Sequence, residues 1–299
     1  DQTVKDPAEV EKLLGAPVLG FVPLIEGDHA LLEEARELAK SVMEPFRAVR
    51  ANLKHLISRH NLQTLVVCSA VKGEGKTTLA ANLGITFALD GRRVVLVDCD
   101  LRRPQMHHLF GLPRERGLAE YLQGSCTLSD ILKDTNYEGL RVVTAGALPG
   151  NPAELLGTAG FDRVIEELRD AADVVLFDSP ALLPVSDVMT IAPKMDAAVF
   201  VIRTLWTPAK AAKQAIAQLK RIGTSIAGGI INGVSHAKGY YPYYYGYYTY
   251  YRYRYAYDYG EAGDEGSLRK LGLQIESGIR ERTRDARYLL PRVVARTAA

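Results

Sequence analysis

Strand-like and helix-like segments alternate along most of this chain, and no other feature restricts its fold as strongly. Six short runs are almost entirely apolar, as buried strands are: Leu65–Cys68, Val94–Val97, Leu140–Val143, Val174–Phe177, Ala197–Ile202 and Gly229–Ile231. Helical segments lie between them: Thr77–Leu89, Gly117–Leu122, Ser129–Leu132, Phe161–Arg169 and Pro208–Ile222. This alternation predicts an α/β fold with a mostly parallel sheet and helices on both of its faces.

The segments that flank this central part have different compositions. Residues 1–40 are interpreted as peripheral, with a short helix after Pro7 and an apolar strand-like run at Val18–Val22. A capping box predicts that the next helix spans residues 41–58. We therefore expect four segments, a peripheral one, a central domain, a flexible tyrosine-rich tail and a helical or disordered extension: residues 1–40, 41–232, 233–260 and 261–299.

Composition excludes some classes of protein. The 299 residues are 47% hydrophobic and 24% charged, with a net charge of +2, so we expect a globular protein and no nucleic-acid partner. The odd set of Cys68, Cys99 and Cys126 is interpreted as reduced thiols, not as a disulfide framework. No run reaches the ~18 apolar residues of a membrane span. Because the chain starts at Asp1 without a signal peptide, we expect an excised part of a longer protein.

A glycine-rich segment follows the first central strand and opens a helix, as a phosphate-binding loop does. Gly73 and Gly75 would let backbone N–H groups point at phosphates, Lys76 would reach the β and γ oxygens, and Thr77 would bind Mg²⁺. Ala70 stands where the strict pattern has glycine, and a turn that binds nothing is the alternative. The pattern predicts an ATP site with Mg²⁺, formed by Gly73, Glu74, Gly75, Lys76, Thr77 and Thr78.

Acidic residues follow two of the buried strands. Asp98 and Asp100 end one strand, and Asp178 ends another. Ligands of open α/β sheets bind at these carboxyl ends, so Asp98 and Asp178 are predicted to hold Mg²⁺ together with Thr77. A tyrosine acceptor has a pKa near ~10, and Asp98 or Asp100 could take its proton during transfer. Helix capping is the alternative for both residues.

Thirteen of the sixteen tyrosines lie within one run of twenty residues. The run contains no Leu, Ile, Val or Met, so it cannot form a core of its own. A nucleotide site together with a string of phosphorylatable hydroxyls suggests a kinase that acts on its own tail. The candidate acceptors are Tyr240, Tyr241, Tyr243, Tyr244, Tyr245, Tyr247, Tyr248, Tyr250, Tyr251, Tyr253, Tyr255, Tyr257 and Tyr259.

Together these motifs resemble those of the bacterial tyrosine kinases of exopolysaccharide and capsule synthesis. The resemblance covers roughly residues 5–259, includes Asn151–Leu156, and rests chiefly on Gly73–Thr78, Asp98–Arg102, Asp178–Pro180 and Tyr240–Tyr259. A further match is a helical Glu-x-x-Arg-x-x-Arg segment formed by Glu44, Arg47 and Arg50, which in this family mediates ring-like self-association. Spacing alone would favour a solvated charged stripe there.

The resemblance implies specific roles. Lys76 and Thr77 would bind ATP and Mg²⁺, Asp98 would be the base or a metal partner, and Asp178 would orient Mg²⁺ through water. Arg102 would touch phosphate or pair with an acid, and Asn232, after the last strand, would contact adenine as in the wider superfamily.

The resemblance also implies partners and a location. Subunits would phosphorylate each other's tyrosine clusters in a ring. They would act with a membrane-spanning co-polymerase segment of the same or a partner chain, at the cytoplasmic face of the inner membrane. A cognate tyrosine phosphatase would reverse the modification. The reaction would regulate oligomerisation and the synthesis, chain length or export of exopolysaccharide or capsule.

The sequence departs from the family pattern at three points, and two alternative functions remain open. Lys72 stands where the family often has proline, Ala181 replaces a second proline, and forty residues follow Tyr259. One rival is an ATPase of the partition or cell-division kind, which shares the loop but needs no tyrosine cluster. The other is a tyrosine-rich segment that stacks on sugars or nucleic-acid bases.

Overall fold

The computed structural model of the chain describes residue 3, residues 7–24 and residues 39–234. The predicted tyrosine cluster and C-terminal extension lie outside these described residues, as do residues 25–38. Within the described part, no helix is both long and apolar enough to cross a membrane.

A sheet of eight strands lies at the centre of the described part. The strands are β1 (Val18–Pro23), β2 (Thr64–Ser69), β3 (Val94–Asp98), β4 (Leu132–Asp134), β5 (Leu140–Val143), β6 (Val174–Asp178), β7 (Ala197–Arg203) and β8 (Ile226–Val234). Their order across the sheet is β1-β8-β7-β2-β6-β3-β5-β4. The pairs from β8 to β5 are parallel, and only β4 is shown antiparallel to its neighbour. The predicted mostly parallel α/β fold is confirmed.

Helices connect the strands. They are α1 (Pro7–Leu14), α2 (Ala39–His60), α3 (Lys76–Leu89), α4 (Met106–Leu109), α5 (Leu118–Leu122), α6 (Leu128–Ile131), α7 (Pro152–Leu156), α8 (Ala159–Ala171), α9 (Asp187–Ile191) and α10 (Ala209–Arg221), with a 3₁₀ turn at Ala192–Lys194. Helix α3 is buried on nearly all sides, from Leu79 to Ala88, which fits a helix enclosed between the sheet and α2.

The packing of α2 depends on a very close approach to β1. Phe46, Val49 and Leu53 of α2 are buried in the main apolar core. A Cβ atom on Gly20 would come within 2.6 Å of a Val49 methyl group, so any side chain there would force the helix away. Gly20 therefore fixes how closely α2 lies on the sheet.

The register of the sheet sets the position of the candidate site. Strand β6 lies between β2 and β3, and its parallel register pairs Asp178 with Asp98 on one side and with Val67 on the other. The carboxyl ends of these strands therefore meet at one edge, where β2 continues into the glycine-rich loop before α3.

Several sequence predictions differ from the structure. Leu132 opens the short strand β4 instead of ending a helix, because it pairs antiparallel with Val143 at the sheet edge. Ser41 lies inside α2, which already includes Ala39, so it does not cap that helix. Asn232 lies within β8, not after it, because β8 is longer than the predicted apolar run. Helices α7 and α9, each five residues long, were not predicted from the sequence.

Candidate functional site

The glycine-rich loop has the backbone that the sequence predicts for a phosphate-binding loop. Gly73 and Gly75 have φ angles of 84° and 85°, in the left-handed region that glycine adopts without steric cost. Helix α3 begins at Lys76, which is only 8% exposed, and Thr77 follows in the first turn of the helix. The loop thus delivers its N–H groups, a lysine and a hydroxyl to the start of a helix, where anions bind.

Three side chains from outside the loop hold its carbonyl groups. Trp206 Nε1 donates to the Lys72 carbonyl at 3.1 Å, and Arg203 Nη1 donates to the Gly73 carbonyl at 2.8 Å. Asn232 Nδ2 donates to the Glu74 carbonyl at 2.8 Å. We call these three donors, Arg203, Trp206 and Asn232, the collar.

The Glu74 side chain is turned into the protein. Its carboxylate accepts a hydrogen bond from Val71 N at 2.6 Å and another from the hydroxyl of Thr207. Burial raises the pKa of Glu74, although the two hydrogen bonds oppose that rise. The prediction that Glu74 binds ATP is therefore restricted to its backbone, since the side chain anchors the loop from inside.

The Asp98 carboxylate is buried and bonded to backbone N–H groups. Its Oδ2 accepts from Gln105 N at 3.2 Å and from Met106 N at 3.0 Å, and its Oδ1 accepts from Asp100 N at 3.2 Å. Burial, and next the charge of Asp178, raise the pKa of Asp98 well above its ordinary value. Asp98 thus caps the start of α4, the capping role that the sequence left open.

The Asp178 carboxylate is equally buried but has no such support. Neither of its oxygens has a hydrogen-bond partner in bonding geometry. Burial raises the pKa of Asp178 to about 7, although the Lys76 charge and the nearby Thr77 hydroxyl oppose the rise. A buried carboxylate with free lone pairs beside a lysine and a hydroxyl fits a cation ligand.

The donor set suits Mg²⁺ better than a protein-only metal cage. Among the described residues, no three His, Cys, Asp or Glu side chains form a cluster that could hold a metal. In nucleotide sites Mg²⁺ takes one or two carboxylates and completes its shell with phosphates and waters. Asp178 and Thr77 match that requirement, with Asp98 next to Asp178 on the neighbouring strand.

Asp100 differs from both of these carboxylates, because it is only partly buried. Its Oδ1 accepts from Arg102 N at 3.3 Å and from Arg103 N at 2.9 Å, which closes the turn after β3. The structure shows no described donor to its Oδ2, so one oxygen is held and the other is available.

Arg102 pairs with a buried acid that the sequence analysis did not identify. Its Nε and Nη2 atoms donate to the two carboxylate oxygens of Asp187 at 2.8 and 2.9 Å. The Asp187 side chain is fully buried at the start of α9, whereas the Arg102 side chain is 40% exposed. Of the two roles predicted for Arg102, the structure contains the ion pair, and phosphate contact stays a prediction.

A cleft of about 180 Å³ opens beside the loop. Half of its lining residues have apolar side chains, and the polar side chains come from Thr78, Arg203 and Asn232: Val22, Pro23, Leu24, Phe46, Gly75, Thr78, Leu79, Arg203, Asn232 and Gly233 line it. Asn232 thus lines this cleft and also holds the loop. A slot that combines apolar side chains with an amide group is suited to a flat heterocycle.

The three residues of the predicted oligomerisation motif do not lie in one exposed row. Glu44 and Arg47 are exposed and form an ion pair at 3.6 Å. Arg50 instead points toward α3, where Nη1 donates to the Thr86 carbonyl at 2.8 Å and Nη2 lies 3.5 Å from Asp90. Arg50 therefore joins two helices of the same chain.

The predicted acceptor tyrosines lie outside the described residues.

Similarity to known proteins points to one fold and one family. Residues 65–238 match the family model described as the CobQ/CobB/MinD/ParA nucleotide binding domain. The chain is 34% identical over 202 residues to the tyrosine-protein kinase YwqD of Bacillus subtilis (strain 168). The aligned region covers 66% of this chain and 85% of the relative.

Solved structures give the same result. The chain is similar to the kinase domain of the Escherichia coli tyrosine kinase ETK, with a TM-score of 0.73 and 28% identity over 79% of this chain and 97% of that one. It is also similar to the septum site-determining protein MinD complexed with Mg-ADP from Pyrococcus horikoshii OT3. That match has a TM-score of 0.51 and 26% identity over 57% of this chain and 70% of that one.

Proposed function

Because the chain belongs to the bacterial tyrosine kinases, we propose that it transfers the γ-phosphate of Mg-ATP to tyrosines of its own C-terminal cluster. The observation that carries this proposal is the unpartnered Asp178 carboxylate beside Lys76 and Thr77, next to a nucleotide-binding loop. The similarity to MinD with Mg-ADP supports the same cofactors. The acceptor tyrosines are supplied by the run from Tyr240 to Tyr259.

Each site residue would act on the nucleotide in a different way. The loop N–H groups and Lys76 would bind the phosphates, while Thr77 and Asp178 would hold Mg²⁺. Bound Mg²⁺ supplies positive charge that offsets the charge of the β and γ phosphates. The cleft beside Asn232 would take the adenine, since apolar side chains form half of its lining and the Asn232 amide can pair with a heterocycle edge.

The proton acceptor would be Asp100. Both oxygens of Asp98 are already committed to backbone N–H groups inside the protein. Asp100 is fixed through one oxygen, is partly exposed, and stands two residues further along the same turn. A base must be oriented and must also be reachable by the incoming tyrosine, and Asp100 satisfies both conditions.

Transfer would occur between subunits of an oligomer. Glu44 and Arg47 supply the exposed charged pair of such an interface, with Arg50 holding α2 onto α3 behind it. Each phosphate adds about −1.5 to −2 charges, so several per tail would repel neighbouring tails and favour disassembly.

The family supports a proposal about partners and location. The oligomer would act with a membrane-spanning co-polymerase segment at the cytoplasmic face of the inner membrane, and a cognate phosphatase would reset the tail. In this way phosphorylation would regulate exopolysaccharide or capsule synthesis, chain length or export.

A partition-type ATPase is the second candidate, because the similarity to MinD includes a nucleotide complex. Such an enzyme would hydrolyse ATP with the same loop and leave the tyrosines unmodified. The fate of the γ-phosphate therefore separates the two candidates.

The test is mass spectrometry of the chain after incubation with Mg-ATP. We expect successive additions of about 80 Da within residues 240–259, since phosphorylation adds one phosphoryl group per tyrosine. Lys76→Met should abolish them. Lys213→Met, at an exposed lysine of α10, is the matched control and should leave them unchanged. ATP consumption without any gain of mass on tyrosine would favour the ATPase instead.

A further inference from the structure

The collar acts on three consecutive carbonyl groups of the loop. Trp206 holds the carbonyl of Lys72, Arg203 holds that of Gly73 and Asn232 holds that of Glu74. In a planar trans peptide the C=O of one residue and the N–H of the next point in opposite directions. Fixing these three carbonyls outward therefore aims the three following N–H groups inward.

The inward-pointing N–H groups belong to Gly73, Glu74 and Gly75. Successive N–H groups that converge on one point form an anion-binding nest, and a phosphate-binding loop depends on such a nest. From this geometry we propose that the collar, together with Thr207, consists of positioning residues that preset the loop for nucleotide phosphates. The inference rests on the proposed nucleotide chemistry and adds residues that the loop motif does not contain.

Thr207 holds the loop through the side chain of Glu74. Its hydroxyl donates to the buried Glu74 carboxylate, which in turn accepts from Val71 N and so closes the loop on itself. Without the hydroxyl, one buried carboxylate oxygen loses its partner, and the side chain would have to rearrange. Glu74 is thus fixed at its carboxylate by Thr207 and at its carbonyl by Asn232.

The turn between β7 and α10, which contains Trp206 and Thr207, has a strained backbone. It has Leu205 at a φ of 58°, which is unfavourable for a bulky residue, and it leaves that side chain 57% exposed. The Arg203 guanidinium lies 5.2 Å from the centre of the Trp206 ring, so the two donors also support each other. Residues held in such conformations cluster at functional sites, which fits the position of this turn beside the loop.

The side chains of Asn232 and Trp206 also pack closely against the glycines of the loop. An added Cβ on Gly75 would lie 2.3 Å from Asn232 Nδ2, and one on Gly73 would lie 3.3 Å from the Trp206 ring. The glycines therefore serve the collar as well as the phosphates, because any side chain at Gly75 would displace Asn232.

The experiment compares Mg-ADP with adenosine as calorimetric ligands of the full chain. Adenosine carries the base without phosphates, so a residue that orients the nest affects only Mg-ADP. Thr207→Val keeps the shape and removes the hydroxyl, and we expect its Mg-ADP affinity to fall about tenfold. Thr207→Ser restores the hydroxyl and should stay within about twofold of the wild type. Adenosine affinity should be unchanged in both variants.

Thr127→Val, at an exposed position, is the control for the same substitution. The Thr127 hydroxyl also donates to a carboxylate, that of Asp130 at 2.6 Å, but it caps α6 next to the edge strand β4. It should leave the Mg-ADP affinity unchanged. A folded Thr207→Val that binds Mg-ADP like the wild type, or that loses adenosine to the same extent, would overturn the inference.

A second variant keeps the test decisive if Thr207→Val does not fold. Trp206 is 53% exposed, so Trp206→Phe keeps an aromatic side chain at a tolerant position, while it removes the N–H donor together with the pyrrole part of the indole. We expect a loss of about threefold to tenfold for Mg-ADP and none for adenosine. Unchanged Mg-ADP binding in this variant would count against the collar. A wild type that binds no Mg-ADP at all would instead refute the proposed nucleotide function.

Discussion

Asp98 and Asp178 end neighbouring strands in register, and both are fully buried, yet their surroundings are opposite. Asp98 accepts hydrogen bonds from three backbone N–H groups, whereas Asp178 accepts none in bonding geometry. One carboxylate is therefore part of the framework, and the other has lone pairs that no hydrogen bond uses. The contrast shows that a shared strand-end position does not imply a shared role.

The difference arises in the two residues that follow each strand. Asp100 N, two positions after Asp98, donates back to the carboxylate and starts a turn. The residue two positions after Asp178 is Pro180, which has no N–H to donate. The chain therefore cannot make the equivalent bond, and Asp178 stays unsatisfied.

The largest expected effect is on catalysis by Asp178→Asn. An amide would remove the negative charge from the proposed Mg²⁺ site, and the rate of phosphotyrosine formation should fall on the order of 10²–10³-fold. The free energy of unfolding should stay equal or rise, since a buried unpaired charge disappears. Initial rates and urea unfolding of the same preparation check both parts, and a rate within tenfold of the wild type would contradict the metal role.

Asp98→Ala should mainly reduce stability. It would leave buried backbone N–H groups without an acceptor at the start of α4, and we expect a loss of about 2–3 kcal/mol in the free energy of unfolding. Asp178→Ala is the paired control and should lose less, because no hydrogen bond is broken. Equal losses in urea unfolding would erase the distinction between the two carboxylates.

The pH dependence of stability should also depend on Asp178. Its folded pKa of about 7 lies above the unfolded value, so the folded chain binds this proton more tightly. The free energy of unfolding should therefore fall as pH rises from about 4 to about 7, by up to ~1.4 kcal/mol per pH unit for this group. Asp178→Asn should flatten that slope in thermal unfolding without nucleotide or metal, and Asp170→Asn, at an exposed position of α8, is the control for the substitution itself.

The smallest expected effect comes from Pro180→Ala, which adds an N–H at the position that serves Asp98. If that N–H donates to Asp178, the new hydrogen bond stabilises the ionised carboxylate by roughly 0.5–1.5 kcal/mol, and the pKa of Asp178 falls toward the ordinary range. The pH slope of stability should become shallower than in the wild type. An unchanged slope would show that the backbone after β6 cannot form this turn even when a donor is present.

Much of the fold could be predicted because its signals are local. Each apolar run found in the sequence is a strand, and the glycine pattern at residues 73–75 has the left-handed backbone that phosphate loops require. Strand β4 was missed because it is three residues long, carries mixed side chains and exists only through its pairing with β5. Such an edge strand has no periodic pattern that could reveal it.

The candidate site was predictable in its loop and carboxylates but not in its connections. The inward orientation of the Glu74 side chain depends on Thr207, which lies more than a hundred positions away in sequence but beside it in space. The pairing of Arg102 with Asp187, and of Arg50 with the end of α3, likewise joins residues that are distant in sequence. No local spacing encodes these contacts, since each depends on how the sheet brings distant loops together.

The strand order has a consequence for synthesis on the ribosome. Among the strands of the described residues, β1 is made first, and its neighbour in the sheet, β8, is made last. Roughly 200 residues separate them, which corresponds to about 10–40 s of translation at about 5–20 residues per second. During that time β1 lacks its neighbour β8, and the wall that it contributes to the proposed nucleotide cleft cannot form. A growing chain would therefore acquire its phosphate loop well before it could enclose a base.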